Sequence, residues 1–138
     1  MNKPISPTAH AIADYAVAAL SIPAAAALPK KSAGVLGAVG VVSVATNLMT
    51  DHGLGVMPRI PVNQHLKVDL LTGAALLLAG YTFLRDEPRA ARNAVIGVGL
   101  YSLAAGLMTQ SDGVSQSTRS QLPRMKDERV LEELASPT

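Results

Sequence analysis

The chain has 138 residues, of which 49% are hydrophobic and only 3% aromatic, and its formal charge is +2 at pH 7. The absence of cysteine excludes disulfides, thiolate metal sites and cysteine nucleophiles. The basic residues lie in predicted loops and in the C-terminal tail, so the small positive charge does not indicate nucleic-acid binding. A composition rich in alanine and glycine and poor in aromatic residues is typical of helices that pack closely in lipid.

Four segments that almost lack charged side chains predict an all-α fold. They cover residues 15–28, 33–50, 70–84 and 94–109. Each approaches the roughly 20 residues needed to cross a bilayer once a flanking helical turn is added. A soluble four-helix bundle is the alternative, but its helices would each show one polar face, whereas runs such as LLTGAALLLAGYTFL are apolar on all sides. We therefore predict an integral membrane four-helix bundle over residues 1–110, built from two tandem transmembrane helical hairpins.

Capping signals predict where these helices begin and end. Ser6 followed by Pro7 is typical of a helix start, and helix 1 is expected to run to Leu28. The other expected boundaries are Ser32, Asn63 and Asp86 at the starts of helices 2, 3 and 4, and Gly53 at the end of helix 2. Residues 111–138 are polar and predict a linker followed by a short amphipathic helix or a disordered tail.

The two halves of the chain contain similar elements, which predicts an internal repeat of about residues 5–53 and 60–112. Isoleucine, histidine and aspartate recur at one spacing, as Ile5, His10 and Asp14 in the first half and as Ile60, His65 and Asp69 in the second. Leu-Met-Thr also recurs, at 48–50 and 107–109. Since each hairpin crosses and returns, we expect the halves to be related by a pseudo-twofold axis along the membrane normal.

These motifs also carry a family resemblance. The pattern Thr50-Asp51, Leu54-Gly55, Ile60-Pro61, His65-Leu66 and Asp69, together with the opening from Ile5 to Tyr15, resembles that of small bacterial four-helix membrane proteins related to the SPW-repeat group. The resemblance covers roughly residues 5–110. The Ser-Pro-Trp element that names the group is absent, and Ser21-Ile22-Pro23 stands near its place in the first half. It implies a multi-pass protein of the bacterial inner membrane and implies no particular activity.

The predicted topology gathers the polar residues of the helices at one membrane face. Helices 1 and 3 begin there and helices 2 and 4 end there, so this face is expected to contain His10, Asp14, Asn47, Asp51, His52, His65 and Asp69. In each His-x-x-x-Asp pair the i,i+4 spacing puts both side chains on one side of the helix. Ionisable groups at membrane depth cost about 2.5–3.5 kcal/mol each, so we expect them to face the bundle interior and to pair.

Several roles are open to this polar layer. In the structural one, each aspartate binds its own helix's histidine or a backbone amide and the pairs join the hairpins. In the second, His10, His65, Asp14 and Asp69 bind zinc or iron(II). A b-type haem between His10 and His65 is a variant, against which the scarcity of aromatic residues and the nearby carboxylates count. A proton or small-ligand pathway is a further alternative.

The sequence thus predicts a small multi-pass membrane protein, an accessory or self-associating structural component rather than an enzyme. We expect no cofactor, with zinc or iron(II) as the alternative. The expected partners are the lipid bilayer and either further copies of the chain or a larger membrane complex, and no nucleic acid. The predicted location is the inner (plasma) membrane, and the distribution of lysine and arginine leaves the orientation open.

Overall fold

A computed structural model describes residues 3–111 of the chain. This part contains four α-helices and no β-strands: α1 (Pro7–Ala25), α2 (Lys30–Met49), α3 (Val62–Tyr81) and α4 (Arg89–Met108). The predicted all-α, four-helix fold is therefore confirmed. The predicted linker and tail helix lie outside the described residues, apart from residue 111.

The four helices form two hairpins. Helix α1 packs along α2, and α3 packs along α4, whereas the hairpins contact each other less extensively, mainly through α2. Two isolated parallel bridges join the start of one helix to the end of another, Ile5 to Thr109 and Thr50 to Ile60. These bridges place the first turns of α1 and α3 beside the last turns of α2 and α4.

Helix α1 begins as predicted and ends earlier than predicted. The Ser6 side chain accepts a hydrogen bond from the Ala9 N–H at 3.2 Å, so the predicted N-cap is confirmed. The helix ends at Ala25 rather than Leu28. Pro23 lies in its last turn, and the N–H groups of residues 26–28 bond to carbonyls three residues back, a tightening that commonly ends a helix.

The other predicted boundaries are wrong by a few residues. Prolines 29, 61 and 88 occupy the N-cap positions of α2, α3 and α4, in place of the expected Ser32, Asn63 and Asp86. Helix α2 ends at Met49 rather than at Gly53. It stops there because Thr50 adopts an extended conformation and the loop returns N–H groups of residues 56, 57, 59 and 60 to the carbonyls of Leu48 and Met49.

The end of the bundle that carries the α1–α2 and α3–α4 loops contains a small apolar core and one polar contact between the hairpins. The core consists of Leu36, Leu76, Leu84 and Val95. Ser32, in the first turn of α2, donates both its backbone N–H and its hydroxyl to a Glu87 carboxylate oxygen from the loop before α4. This carboxylate caps the N-terminus of α2 from the other hairpin, where the helix dipole favours negative charge.

Two glycines allow α3 and α4 to pack backbone against backbone. A Cβ on Gly73 would lie 2.8 Å from the Gly99 carbonyl oxygen and 2.9 Å from the Leu103 nitrogen, and a Cβ on Gly99 would lie 3.0 Å from the Gly73 carbonyl oxygen. Small residues at such a contact are typical of helix pairs in membranes.

We expect Gly73→Ala to lower the free energy of unfolding by about 1–3 kcal/mol, the usual cost of overpacking a well-packed contact. The nearest atom is Leu103 Cγ at 2.7 Å, and the two backbone atoms next to it cannot move aside without separating α3 from α4. Gly97→Ala is the matched control, because a Cβ there has no neighbour within 4 Å. It should leave stability unchanged or raise it by about 0.5–1 kcal/mol, the helix preference for alanine over glycine. Unfolding of the purified variants would measure both, and equal stability of the two would contradict the close packing.

Large apolar side chains are exposed on the outer faces of all four helices. Examples are Leu20 (71%) on α1, Val41 (61%) on α2, Leu71 (72%) on α3 and Leu100 (55%) on α4. Within residues 3–111, α2 and α4 are long and apolar enough to cross a membrane, by length and composition alone. Helices α1 and α3, which carry the histidine–aspartate pairs, are not among these candidate spans.

Candidate functional site

The histidine–aspartate pairs occupy equivalent positions in α1 and α3. His10 and His65 are the fourth residues of their helices, and Asp14 and Asp69 are the eighth. One helical turn separates each histidine from its aspartate, so both side chains of a pair point to the same side. The bridges that bring the two helix starts to one end of the bundle also bring the two pairs together.

Four side-chain atoms from the two pairs form a compact cluster, which we call the His/Asp quartet: His10 Nε2, Asp14 Oδ2, His65 Nε2 and Asp69 Oδ2. Each histidine nitrogen contacts both carboxylates, at 3.0 and 3.0 Å for His10 and at 3.1 and 3.4 Å for His65. The four atoms all lie within 4.8 Å of one another. The aspartates therefore pair with the histidine of the other helix as well as with their own.

The quartet is largely buried, and two of its atoms lack hydrogen-bond partners among the residues that the structure describes. His10 and His65 are 3% and 2% exposed, and Asp14 is 7% exposed. His10 Nε2 and Asp69 Oδ2 lie 3.0 Å apart, yet neither has a partner in hydrogen-bonding geometry. Buried polar atoms are nearly always satisfied, so such a pair of atoms requires an explanation.

Two threonines at the ends of α2 and α4 orient the two imidazoles. His10 Nδ1 lies 2.8 Å from Thr109 Oγ1, and His65 Nδ1 lies 2.8 Å from Thr50 Oγ1. Each threonine hydroxyl donates its single proton to the carbonyl four residues earlier, at 2.6 Å. We therefore assign the proton of each Nδ1 to a hydrogen bond donated to threonine, which turns each Nε2 toward the carboxylates.

The third histidine, His52, is connected to the quartet through the side chain of Asn47. His52 Nδ1 accepts from the Leu54 N–H at 3.2 Å, so its Nε2–H donates to Asn47 Oδ1 at 3.1 Å. This orients the Asn47 amide, whose nitrogen donates to Asp14 Oδ2 at 3.1 Å. Burial lowers the pKa of the His52 imidazole, and the nearby histidines act in the same direction. A neutral His52 is what an accepting Nδ1 requires.

The two aspartates differ in their surroundings. Asp14 accepts hydrogen bonds from the Tyr101 hydroxyl on Oδ1, at 2.7 Å, and from Asn47 on Oδ2. When the two Leu-Met-Thr motifs are aligned, Tyr101 corresponds to Val42 and Asn47 to Gly106, so these positions supply no equivalent donors to Asp69. The Asp69 side chain is also more exposed than that of Asp14, at 17% against 8%.

Of the seven residues expected in the polar layer, six form one connected network. They are His10, Asp14, Asn47, His52, His65 and Asp69. Asp51 lies in the following loop, where its backbone N–H donates to the Ile60 carbonyl at 2.8 Å. Sequence reasoning missed Thr50, Thr109 and Tyr101 as members of the site. The recurrence of Leu-Met-Thr could have indicated the threonines, whereas no sequence pattern singled out Tyr101.

Four of the six edges of the quartet match those of a tetrahedral metal site, and the other two, between the nitrogens and between the carboxylate oxygens, are no longer than 4.8 Å. A tetrahedral ion with metal–ligand distances of about 2.0–2.1 Å has ligand–ligand edges of about 3.4 Å, and the four nitrogen–oxygen edges here measure 3.0–3.4 Å. Two imidazoles on such an ion have ring centroids about 5 Å apart, and those of His10 and His65 are 5.4 Å apart. A haem would need a flat opening between these rings, where the two carboxylates lie instead.

Comparison with protein families, with characterised proteins and with solved structures finds no match for this chain. The resemblance to the SPW-repeat group therefore stays a prediction. What the structure establishes is a small four-helix protein with two helices capable of spanning a membrane and with a buried histidine–aspartate group.

Proposed function

We propose that this chain is a multi-pass protein of the inner (plasma) membrane that binds one divalent transition-metal ion, zinc or iron(II), at the His/Asp quartet. The proposal has two parts, membrane insertion and metal binding, which rest on different observations and are tested separately.

Membrane insertion is supported by the exposure of the apolar side chains. In the apolar windows of α2 and α4 only 22% and 28% of residues are buried, whereas the core helix of a soluble protein would be mostly buried. Soluble monomers rarely expose apolar patches larger than a few hundred Å², and here such residues lie on all four helices. The polar quartet lies within the first two turns of α1 and α3, near one membrane face, where charge is less costly than at the bilayer centre.

Metal binding rests on one observation above all: His10 Nε2 and Asp69 Oδ2 lie 3.0 Å apart at a largely buried site, and neither forms a hydrogen bond within residues 3–111. With Nδ1 protonated by its hydrogen bond to threonine, a neutral imidazole directs the lone pair of Nε2 at carboxylate oxygens. The nitrogen and oxygen lone pairs repel each other unless a proton or a metal ion lies between them, and a metal ion can satisfy all four atoms at once. A hydrogen bond from the other ring nitrogen to an oxygen acceptor is also the usual support for a metal-binding histidine.

Charge balance is consistent with a divalent ion. Two carboxylates and two neutral imidazoles carry a charge of −2, which one divalent cation neutralises. Without metal, protonation of both imidazoles gives the same neutral total, so metal uptake would release two protons. Imidazole and carboxylate ligands together suit zinc and iron(II), and the four nitrogen–oxygen edges of 3.0–3.4 Å fit zinc.

The test is purification of the chain from membranes without chelator, followed by elemental analysis. We expect about one zinc or iron atom per chain. A preparation that holds no metal and takes up neither ion on titration would contradict metal binding. Extraction of the membranes at alkaline pH tests insertion independently, because release of the chain into the soluble fraction would contradict membrane insertion alone.

We expect Thr109→Val to lower zinc affinity by about 10–100-fold, the usual effect of removing a hydrogen-bond partner of a metal-binding histidine. Valine has the shape of threonine but cannot accept the proton of His10 Nδ1, which lies 2.8 Å from the hydroxyl oxygen. Thr109→Ser retains the hydroxyl and should bind zinc like the unmodified protein. Competition with a fluorescent zinc chelator would measure the affinities. Equal affinities for the valine and serine variants would contradict the assigned role of Thr109.

A structural or accessory role is the second candidate. The hairpins contact each other less than the helices within each hairpin do, and the quartet joins α1 to α3 across them. With both imidazoles protonated, the quartet would act as a buried charge network that holds the hairpins together. Metal-free protein in which His10→Ala and His65→Ala lower only thermal stability would favour this role over metal binding.

A further inference from the structure

A cleft between α2 and α3 leads from the outer surface of the bundle to the two aspartates. Its volume is about 250 Å³. The walls are mainly apolar, and Val42 on α2 and Val68 on α3 are 50% and 37% exposed, which places these two residues at the mouth. The inner end contains Asp14, Asp69 and Tyr101. The cleft thus combines an apolar passage with a polar end.

The polar end offers one acceptor that no residue between 3 and 111 uses. Asp14 is occupied by Tyr101 and Asn47. Asp69 has no such donors, and it lines the cleft with a side chain that is 17% exposed. Its Oδ2 atom is directed at the histidines, so the second carboxylate oxygen is the acceptor available to a molecule in the cleft.

The charge balance and the size of the cleft limit what could bind there. The quartet is formally neutral both with a divalent metal and with two protonated imidazoles, so a charged ligand would add an uncompensated charge beside apolar walls. An apolar cavity of about 150 Å³ accommodates benzene. The larger cleft here therefore accommodates a single ring with a short substituent.

We propose that the α2–α3 cleft binds a neutral, lipid-soluble phenol whose hydroxyl donates a hydrogen bond to the Asp69 carboxylate. In a membrane the mouth of the cleft faces the acyl chains, so such a molecule enters from the bilayer with its ring between the valine walls. The proposal does not require the metal ion, because the same carboxylate lies at the end of the cleft in either state of the quartet.

The test compares 4-propylphenol with its methyl ether, 4-propylanisole, by titration calorimetry on detergent-purified protein. The ether has a similar shape but no donor, so we expect it to bind at least tenfold more weakly. Val42→Trp blocks the mouth, and Ala75→Phe narrows the same cleft from α3; both should lower phenol affinity at least tenfold. Val41→Trp is the matched control, because this exposed neighbour does not line the cleft, and it should bind like the unmodified protein.

The blocked variants also correct for partition of the phenol into detergent, which is the same for every variant. Equal heats from Val42→Trp, Ala75→Phe and unmodified protein would overturn the proposed cleft site. Equal affinities for the phenol and the ether would overturn the hydrogen bond to Asp69 and with it the ligand class. Zinc content is measured on the same samples. Zinc-loaded protein that does not bind the phenol would contradict the cleft proposal alone, and protein that binds the phenol but takes up no zinc would contradict the metal site alone.

Discussion

Asp69→Asn is expected to lower zinc affinity by more than about 100-fold, beyond the 10–100-fold range seen for hydrogen-bond partners of metal ligands. Asparagine keeps the shape of aspartate, but it removes the negative charge and leaves a weak neutral ligand. Asp69 is the best residue for this test because its Oδ2 atom has no hydrogen bond to lose. A fall in zinc affinity would thus report a lost ligand rather than a collapsed network.

Two controls separate ligand loss from general effects of charge or of histidine number. Asp86→Asn removes a carboxylate that is 74% exposed in the loop before α4, and it should leave zinc affinity unchanged. His52→Gln removes the histidine outside the quartet and should have a far smaller effect than His65→Gln. Stoichiometric zinc in Asp69→Asn, with an affinity equal to that of Asp86→Asn, would contradict the quartet as the metal site.

Zinc at a free concentration 1,000 times its Kd is expected to raise the free energy of unfolding of the bundle by about 4 kcal/mol, because an ion that binds only the folded state stabilises it by mass action. Removal of the metal with a chelator should lower the free energy of unfolding by the same amount. Each hairpin contributes one histidine and one aspartate to the quartet, so the ion would link two halves that otherwise contact each other less closely. Thermal unfolding in detergent, with zinc and with a chelator, measures this effect as a melting temperature that rises with zinc concentration.

Asp69→Asn provides the reference for this measurement, since its melting temperature should be insensitive to zinc in the same concentration range. The chelated protein keeps a neutral quartet by protonating both imidazoles, so it should remain folded at room temperature. A melting temperature identical in zinc and in chelator would contradict the stabilising role of the ion, and an equal rise in the Asn variant would place the zinc elsewhere.

Most of the fold and part of the site followed from local patterns. The long uncharged segments predicted the four helices, and the Ser6-Pro7 start was correct. Boundaries set by contacts with other segments were not predictable in the same way. Helix α2 ends at Met49 because Ile60 pairs with Thr50, and its N-terminus is capped by Glu87 of the other hairpin. A capping rule that considers only neighbouring residues cannot predict partners this distant in the sequence.

The amino-acid sequence by itself determined which residues could meet. Histidine and aspartate four residues apart share one side of a helix, and an up-and-down chain returns the starts of helices 1 and 3 to the same end. Only the tertiary structure decided how they meet. His10 pairs with Asp69 of the other hairpin, each of the two imidazoles contacts a threonine at 2.8 Å, and Tyr101 donates a hydrogen bond to Asp14 but not to Asp69. All of these contacts depend on the rotation and separation of the packed helices. Those quantities are set by side-chain packing between residues distant in the chain, such as Gly73 against Gly99, and not by the spacing of residues within one helix.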